Sequence, residues 1–170
     1  AGLLLLTAGG QSLAQTAVSL LTLTESTLDN LQPLAAAHQV NLAYTAADDL
    51  CVVGEPALLS QILSNLVENG IRYNTPGGRV DVHLTAENQQ AIIRVQDTGP
   101  GIPITEQTRI FDRFHRLDKT RSQHPGGAGL GLALVQHLVQ NYHGTIAVAS
   151  EPGAGATFTV SLPLAPDTTI

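Results

Sequence analysis

Two asparagines one helical turn apart are the first residues of this sequence that could bind a metal ion. Asn65 and Asn69 lie in the stretch NLVENGIRY, and Arg72 continues the same helical face. An amide carbonyl is a hard oxygen ligand that suits Mg²⁺, which takes few protein ligands and completes its shell with water and phosphate. Both amides fall at the edge of the apolar stripe, where they can face a cleft. Two ordinary surface amides would give the same pattern.

A second candidate site is the turn QDTGPGIP, residues 96–103. Asp97 ends a predicted strand and leads directly into Gly99 and Gly101. A carboxylate in this place can accept a hydrogen bond from an exocyclic amine such as that of adenine. The glycines allow the backbone to approach a ligand closely. A plain strand-to-loop turn is the alternative, because Asp and Gly both favour turns.

The third candidate site is the glycine-rich stretch GGAGLGL, residues 126–132, which leads into a predicted helix. Free backbone N–H groups and the helix dipole favour an anion such as phosphate at such a helix N-terminus. The stretch lacks the Gly-Lys-Ser/Thr ending of a Walker loop, and no strand precedes it as a dinucleotide-binding fold requires. A flexible linker is the alternative.

These three sites must be positioned by alternating helices and strands. The clearest element is a helix over 56–73, with Pro56 at its first position and apolar residues at helical spacing. The pattern also predicts helices over 24–38 (with a kink or break at Pro33) and 130–142, and strands over 17–20, 40–44, 50–53, 80–84, 91–95, 145–149 and 157–162. The expected fold class is α+β, a two-layer sandwich in which one mixed β-sheet carries helices on one face.

Composition narrows the class of protein. The chain has 170 residues, 43% hydrophobic and 13% charged, which suits one globular domain with a real core. A net charge of −6 argues against a nucleic-acid partner. The one cysteine, Cys51, has apolar neighbours that predict a buried thiol, and it fits a reducing cytoplasm. No stretch approaches the roughly 20 apolar residues of a membrane span, so we expect a cytoplasmic fragment, whether or not a parent protein is anchored in the inner or plasma membrane.

In their order and spacing, these motifs resemble those of the ATP-binding domain of sensor histidine kinases. The wider superfamily includes gyrase B subunits, mismatch-repair ATPases and heat-shock chaperones. NLVENGIRY resembles the asparagine box, DTGPGI the first glycine box, IFDRFHRLD the phenylalanine box, GGAGLGLALV the second glycine box, and GAGATFTVSLP the closing glycine box with the last strand. The resemblance covers roughly residues 20–163.

The resemblance implies a protein-histidine kinase domain that binds ATP with Mg²⁺ and donates the γ-phosphoryl group to a histidine on a dimerisation domain, with a response regulator as indirect partner. Asn69 would bind Mg²⁺ with Asn65 in support, Phe111 and Phe114 would contact the partner helices, and residues 115–126 would form a mobile lid. The residues implied in nucleotide binding are Asn65, Asn69, Arg72, Tyr73, Asp97, Gly99, Gly101, Ile102, Ile110, Arg116, Gly127, Gly129, Leu130, Gly131, Leu132 and Thr157.

Two departures and one absence qualify the resemblance. Gly70 stands where the family usually has alanine, and Ala128 where threonine or serine is common. Relatives that hydrolyse ATP carry a glutamate at the position of Asn65, and a neutral amide cannot act as a general base. Slow hydrolysis is therefore expected. None of the six histidines has the context of the family's phosphoryl acceptor, so the acceptor is expected elsewhere.

The implied domain division assigns residues 1–15 to the remnant of an upstream dimerisation helix and linker, 16–163 to the catalytic domain and 164–170 to a tail. Two other functions share the fold: a nucleotide-sensing module without transfer activity, and an anti-sigma-type serine kinase. Intact Asn69, Asp97 and glycine loops favour a kinase over a sensor. The phenylalanine box and the LLLL stretch near the N-terminus favour a histidine kinase over a serine kinase.

Overall fold

A computed structural model describes residues 16–115 and 129–166 of the chain. The predicted helix remnant at 1–15, most of the predicted lid, and the predicted phosphate-binding residues Arg116 and Gly127 lie outside these ranges. The elements in chain order are β1 (Thr16–Ser19), α1 (Leu20–His38), β2 (Asn41–Ala46), β3 (Cys51–Gly54), α2 (Pro56–Arg72), β4 (Arg79–Glu87), β5 (Gln90–Asp97), α3 (Gly131–Asn141), β6 (Thr145–Ser150) and β7 (Ala156–Pro163).

The main sheet has five strands in the order β2-β4-β5-β7-β6, with β2 and β4 parallel and the other neighbours antiparallel. Residues paired across the strands form rows that alternate between the two faces. One row is apolar and consists of Tyr44, Val82, Val95, Phe158 and Val148. The next row, on the opposite face, consists of Thr45, His83, Arg94, Thr159 and Ala147. The sheet therefore has one face for the helices and one polar face, which confirms the predicted α+β sandwich.

Helix α2 is the central element of the helical layer. It begins at Pro56 as predicted, and α1 and α3 both pack against it. Its buried residues are Leu59, Ile62, Leu63, Leu66, Val67, Gly70 and Ile71. Burying each large apolar side chain contributes about 1.5–3 kcal/mol, so this stripe fixes the rotation of α2 and with it the face that carries the asparagines. Among the helices in the described ranges, none is long and apolar enough to cross a membrane.

Two of the predicted strands lie outside the mixed sheet, because β1 and β3 pair with each other as a separate two-stranded antiparallel sheet. Beyond β7, a single bridge joins Val52 to Leu164, and the N–H of Ala165 donates to the Cys51 carbonyl at 2.8 Å. β3 thus pairs with the segment that follows Pro163 as well as with β1, and this second pairing is too short to extend the main sheet. Cys51 is partly exposed rather than buried, because alternate residues of β3 face outward.

Helix α1 differs from its prediction at both its start and its middle. It begins at Leu20, which was predicted to end a strand, because the Ser19 side chain caps it by accepting from the Thr22 N–H at 3.1 Å. The helix is not broken at Pro33. Pro33 is exposed, so the carbonyl that loses its partner there can be hydrated.

Candidate functional site

The candidate motifs meet around the second half of α2. A Cβ atom built on Gly70 would lie 3.0 Å from Val80 Cγ2 and 3.4 Å from Asp97 Cβ, so the helix touches the Asp97 turn directly. A Cβ atom on Gly131 would lie 2.8 Å from Asn65 Oδ1, so the same helix also reaches the first residue of α3. Gly70, flagged in the sequence as a departure from alanine, is the position of close packing between α2 and the sheet.

Asp97 presents a half-buried carboxylate with two different oxygens. Oδ1 accepts hydrogen bonds from the Gly99 N–H at 2.8 Å and the Ala156 N–H at 3.3 Å. Burial raises the pKa of Asp97 above its ordinary value, and these two hydrogen bonds lower it in part. No residue in the described ranges donates to Oδ2. The protein thus orients the carboxylate through Oδ1 alone.

The Asp97 turn is held from behind by contacts that sequence reasoning missed. The Ile102 N–H donates to Ser150 Oγ at 2.8 Å, and the Ile102 carbonyl accepts from Gln107 Nε2 at 2.9 Å. The same Gln107 amide donates to the Ser150 carbonyl at 2.8 Å. We call this set of hydrogen bonds the Gln107–Ser150 clasp. Its partners lie up to 48 residues apart, so no local pattern in the sequence could reveal it.

Two glycines allow the turn to pack against the β6–β7 hairpin. Gly101 and Gly155 have φ values of +74° and +81°, which favour glycine. A Cβ atom on Gly101 would collide with the Glu151 carbonyl oxygen, and one on Gly155 with the Asp97 carbonyl oxygen. The glycines of this turn were predicted to shape a ligand pocket. Gly101 is required at least for the contact between two backbone segments.

The two asparagines differ in how far the protein constrains them. Asn65 Nδ2 donates to the Gln61 carbonyl at 2.7 Å, which orients the amide and leaves Oδ1 near Gly131. The Asn69 side chain is half-buried and has no hydrogen-bond partner among the residues that the structure describes. The two asparagines are one turn apart on α2, and Asn65 lies beside Gly131, the first residue of α3.

Arg72 was predicted to approach phosphates, and here its guanidinium faces an acidic neighbour. Its Nε and Nη2 lie 3.4 Å and 3.3 Å from Glu68 Oε2, one turn back on α2. Glu68 is thus a half-exposed partner of Arg72 on the same helix. Tyr73, predicted to lie against a nucleotide, caps the end of α2 and is 58% exposed.

The N-terminus of α3 has the features of an anion site. Leu130 occupies the cap position, provides no side-chain hydrogen bond and is partly exposed. The first N–H groups of a helix have no partner within the helix, so they are available to an anion. The preceding Gly129 accepts a hydrogen bond from the Phe114 N–H at 3.0 Å, which ties the phenylalanine segment to this loop. Leu132 is half-buried and packs against the core.

The two phenylalanines predicted to contact a partner lie in different environments. The ring of Phe111 meets that of Phe158 edge to face, with centroids 6.5 Å apart, and packs against the core. Phe114 is 71% exposed. Ile110, predicted to line a nucleotide pocket, is buried. His115, the first residue of the predicted lid, places Nε2 2.8 Å from Glu106 Oε2.

Thr157, which was predicted to bind nucleotide, lies on the opposite face of the main sheet from Asp97. Thr157 pairs with Gln96 in the row that includes Asp81, whereas Asp97 pairs with Val80 in the apolar row. The structure therefore directs the Thr157 side chain away from Asp97. The hairpin contact to Asp97 comes instead from the backbone N–H of the preceding residue, Ala156.

The sequence that forms this site matches a known protein family. The family described as "Histidine kinase-, DNA gyrase B-, and HSP90-like ATPase" matches residues 54–166, which contain α2, the Asp97 turn and the start of α3. The chain belongs to this family. The resemblance drawn from the five motifs is thereby confirmed, and the chain is a histidine-kinase-type ATP-binding domain.

Individual relatives agree with the family assignment. The chain is 42% identical over 132 residues to the sensor histidine kinase RppB of Synechocystis, covering 77% of this chain and 29% of RppB. The chain spans between 14% and 34% of the length of these curated relatives. Among solved structures, full-length ShkA in complex with AMPPNP aligns with a TM-score of 0.80 and 28% identity over 93% of this chain and 33% of ShkA. The mycobacterial sensor histidine kinase MprB aligns with a TM-score of 0.76 and 27% identity over 89% of this chain and 99% of that chain.

Proposed function

We propose that this domain binds ATP with Mg²⁺ and donates the γ-phosphoryl group to a histidine on the dimerisation domain of a two-component sensor kinase. The observation that carries the proposal is the meeting, around α2, of three different groups. These are the half-buried Asp97 carboxylate, the stacked amides of Asn65 and Asn69, and the uncapped N-terminus of α3. In this proposal residues 16–163 are the catalytic domain.

Asp97 suits the adenine base. Its Oδ2 is available to accept from an exocyclic amine, and Ile102 and Ile110 are buried apolar residues of the segment that follows Asp97. Guanine presents a carbonyl where adenine presents its amine, which would set one acceptor against another. A site that reads a ligand donor through a buried acceptor discriminates strongly against an analogue that lacks the donor.

The amides and the helix N-terminus suit a metal–triphosphate. Asn69 and Asn65 would hold Mg²⁺ through neutral carbonyl oxygens, and the first N–H groups of α3 would bind phosphate oxygens. When bound, the ion neutralises charge that develops on the phosphates during transfer. Because Asn65 Nδ2 is already committed to the Gln61 carbonyl, its oxygen is the atom left to face the ligand.

Transfer to a partner histidine fits better than hydrolysis. Asn65 stands where a water-activating glutamate would be needed, and an amide cannot remove a proton from water. A histidine side chain is itself a nucleophile and needs no such base on this domain. The exposed Phe114 ring supplies an apolar surface for the partner helices, and a response regulator would receive the phosphoryl group afterwards in the cytoplasm.

Calorimetric titration with ADP and GDP in the presence of Mg²⁺ tests the nucleotide assignment, with ADP expected to bind at least ~100-fold more tightly. Incubation with labelled ATP tests transfer. We expect acid-labile label on an added dimerisation domain with its acceptor histidine, and none on this chain alone. Equal affinities for ADP and GDP would refute the adenine site. Binding without transfer would indicate a nucleotide sensor, and acid-stable label on an added protein's serine would indicate a serine kinase.

A further inference from the structure

We propose that Gln107 and Ser150 are positioning residues for base recognition, which act by holding Ile102 and the Asp97 turn in place. The inference rests on the proposed function and adds two residues that none of the motifs includes. Neither side chain needs to touch the nucleotide. Each acts through the backbone of the turn.

The backbone of Ile102 is held in an unusual way. Ile102 is buried, at 8% exposure, yet it lies outside every helix and strand. Buried backbone N–H and C=O groups must be paired, and those of ordinary core residues are paired within secondary structure. Here both groups of Ile102 depend on side chains, the N–H on Ser150 Oγ and the carbonyl on Gln107 Nε2. Loss of either side chain leaves a buried backbone group without its partner.

Ser150 connects two segments of the chain through its hydroxyl group. Its Oγ accepts from the Ile102 N–H and donates to the Gly155 carbonyl at 2.7 Å. A group that both donates and accepts is required, which a hydroxyl supplies and a methyl group of the same size does not. Gln107 completes the junction by donating to the Ser150 carbonyl as well.

The hydrogen bonds of Ser150 lie next to the carboxylate of Asp97, which is proposed to recognise the base. Gly155 is followed by Ala156, whose N–H donates to Asp97 Oδ1. Ser150 therefore stands at one end of the hairpin turn, and at the other end stands one of the two N–H groups that orient Asp97. A shift of the turn of a few tenths of an ångström would move this donor and turn the free oxygen of Asp97 away from the base.

The clasp is separate from the phosphate end of the site. The contacts that place the amides and α3 run through Asn65, Gln61 and Gly131, and none of them involves Gln107 or Ser150. The clasp should therefore change affinity for the base and leave affinity for the polyphosphate unaltered. A residue that only stabilised the fold would change both.

The test compares Ser150→Val with Ser150→Thr. Both variants have the same branched shape and suit the strand β6, but only threonine keeps the hydroxyl. We expect Ser150→Val to weaken Mg·ADP binding about tenfold and Ser150→Thr to stay within about twofold of the unaltered domain, because only the former leaves buried groups unpaired. Binding of Mg²⁺ with inorganic tripolyphosphate should be the same for all three proteins.

A second variant keeps the test decisive if Ser150→Val does not fold. Gln107→Leu removes the amide at similar volume and should also weaken Mg·ADP binding about tenfold with tripolyphosphate unaffected. Equal ADP affinity of the folded Val and Thr variants would overturn the inference, as would an equal loss of ADP and tripolyphosphate binding in Gln107→Leu. Failure of the unaltered domain to bind ADP would instead overturn the proposed function.

Discussion

The two ends of the nucleotide site differ in what completes them. At the base end, Asp97 is hydrogen-bonded to Gly99 and to Ala156 of the hairpin, and one of its oxygens has no donor among the described residues. Ile102, Gln107 and Ser150 are hydrogen-bonded to one another. At the phosphate end, α3 has no side-chain cap and the Asn69 amide has no partner among the described residues. In the proposed function, the base would meet a turn whose hydrogen bonds are already formed, whereas the phosphates would meet polar groups that lack partners among the described residues.

Because the two ends differ, we expect nucleotide specificity and the Mg²⁺ dependence of binding to be set by different residues. A preassembled pocket loses little entropy on binding and rejects a base with the wrong donor pattern, because its groups cannot rearrange to compensate. At the phosphate end, by contrast, hydrogen bonds to ionised phosphate oxygens are stronger than hydrogen bonds between neutral groups. Changes at the base end should therefore alter which nucleotide binds, and changes at the phosphate end should alter how binding depends on Mg²⁺.

The largest expected effect comes from Asp97→Asn. Asparagine can still accept at Oδ1, but its amide then presents a donor to the donor amine of adenine. We expect ADP affinity to fall by ~100-fold or more and GDP affinity to stay level or rise, because the new donor faces the carbonyl of guanine. Calorimetry with both nucleotides measures the ratio. An unchanged ADP-to-GDP ratio would show that Asp97 does not read the base.

The next effect concerns the metal. Asn69→Ala should weaken Mg·ATP binding about tenfold and change metal-free ATP binding by no more than about twofold, because the amide oxygen is proposed to meet the ion. Titrations with Mg²⁺ and with a chelator separate the two. Asn30→Ala, an exposed position on α1, is the matched control and should change neither. An equal loss with and without Mg²⁺ would mean that Asn69 supports folding or the base instead.

The sequence was most informative where one local pattern decides the structure. Helix α2 was predicted over 56–73 and observed over Pro56–Arg72, because its apolar residues recur on one face and Pro56 favours the start. The strands predicted over 145–149 and 157–162 were likewise correct, and they pair as β6 and β7. The close packing of α2 on the Asp97 turn follows from the same stripe, since Gly70 extends it.

Predictions failed where the structure depends on contacts between distant segments, or on which face of the sheet a strand residue occupies. The partners of the Gln107–Ser150 clasp are 43 residues apart, and side-chain bonds to distant backbone leave no periodic signal. Thr157 was assigned to the site, but a one-residue difference along a strand changes the face, and only Ala156 makes the contact. The early start of α1 was missed because the cap at Ser19 outweighs the strand preference of its neighbours.

A smaller effect links Asp97 to stability. Because burial raises the pKa of Asp97 in the folded state, that state binds a proton more readily than the unfolded chain does. The contribution of Asp97 to the free energy of unfolding should therefore fall as pH rises from the ordinary carboxyl pKa through the raised one. Asp97→Asn should unfold at a Tm roughly 1–3 °C higher at neutral pH, with the advantage shrinking in acid. A variant that is less stable at neutral pH would show that the carboxylate is a net stabilising group.

The smallest effect tests whether the phosphate end is restrained before the ligand arrives. Glu68 holds the Arg72 guanidinium in an exposed pair at 3.3 Å, and a pair four residues apart on a helix contributes only about 0.2–0.5 kcal/mol. If Arg72 must leave Glu68 to reach a phosphate, Glu68→Gln should tighten Mg·ATP binding by about twofold or less, and Arg72→Gln should remove that gain. High salt should also remove it, because exposed charges are screened. A tenfold loss in Glu68→Gln would mean that the carboxylate supports the ligand or its metal, and the restraint would then lie elsewhere at this end of the site.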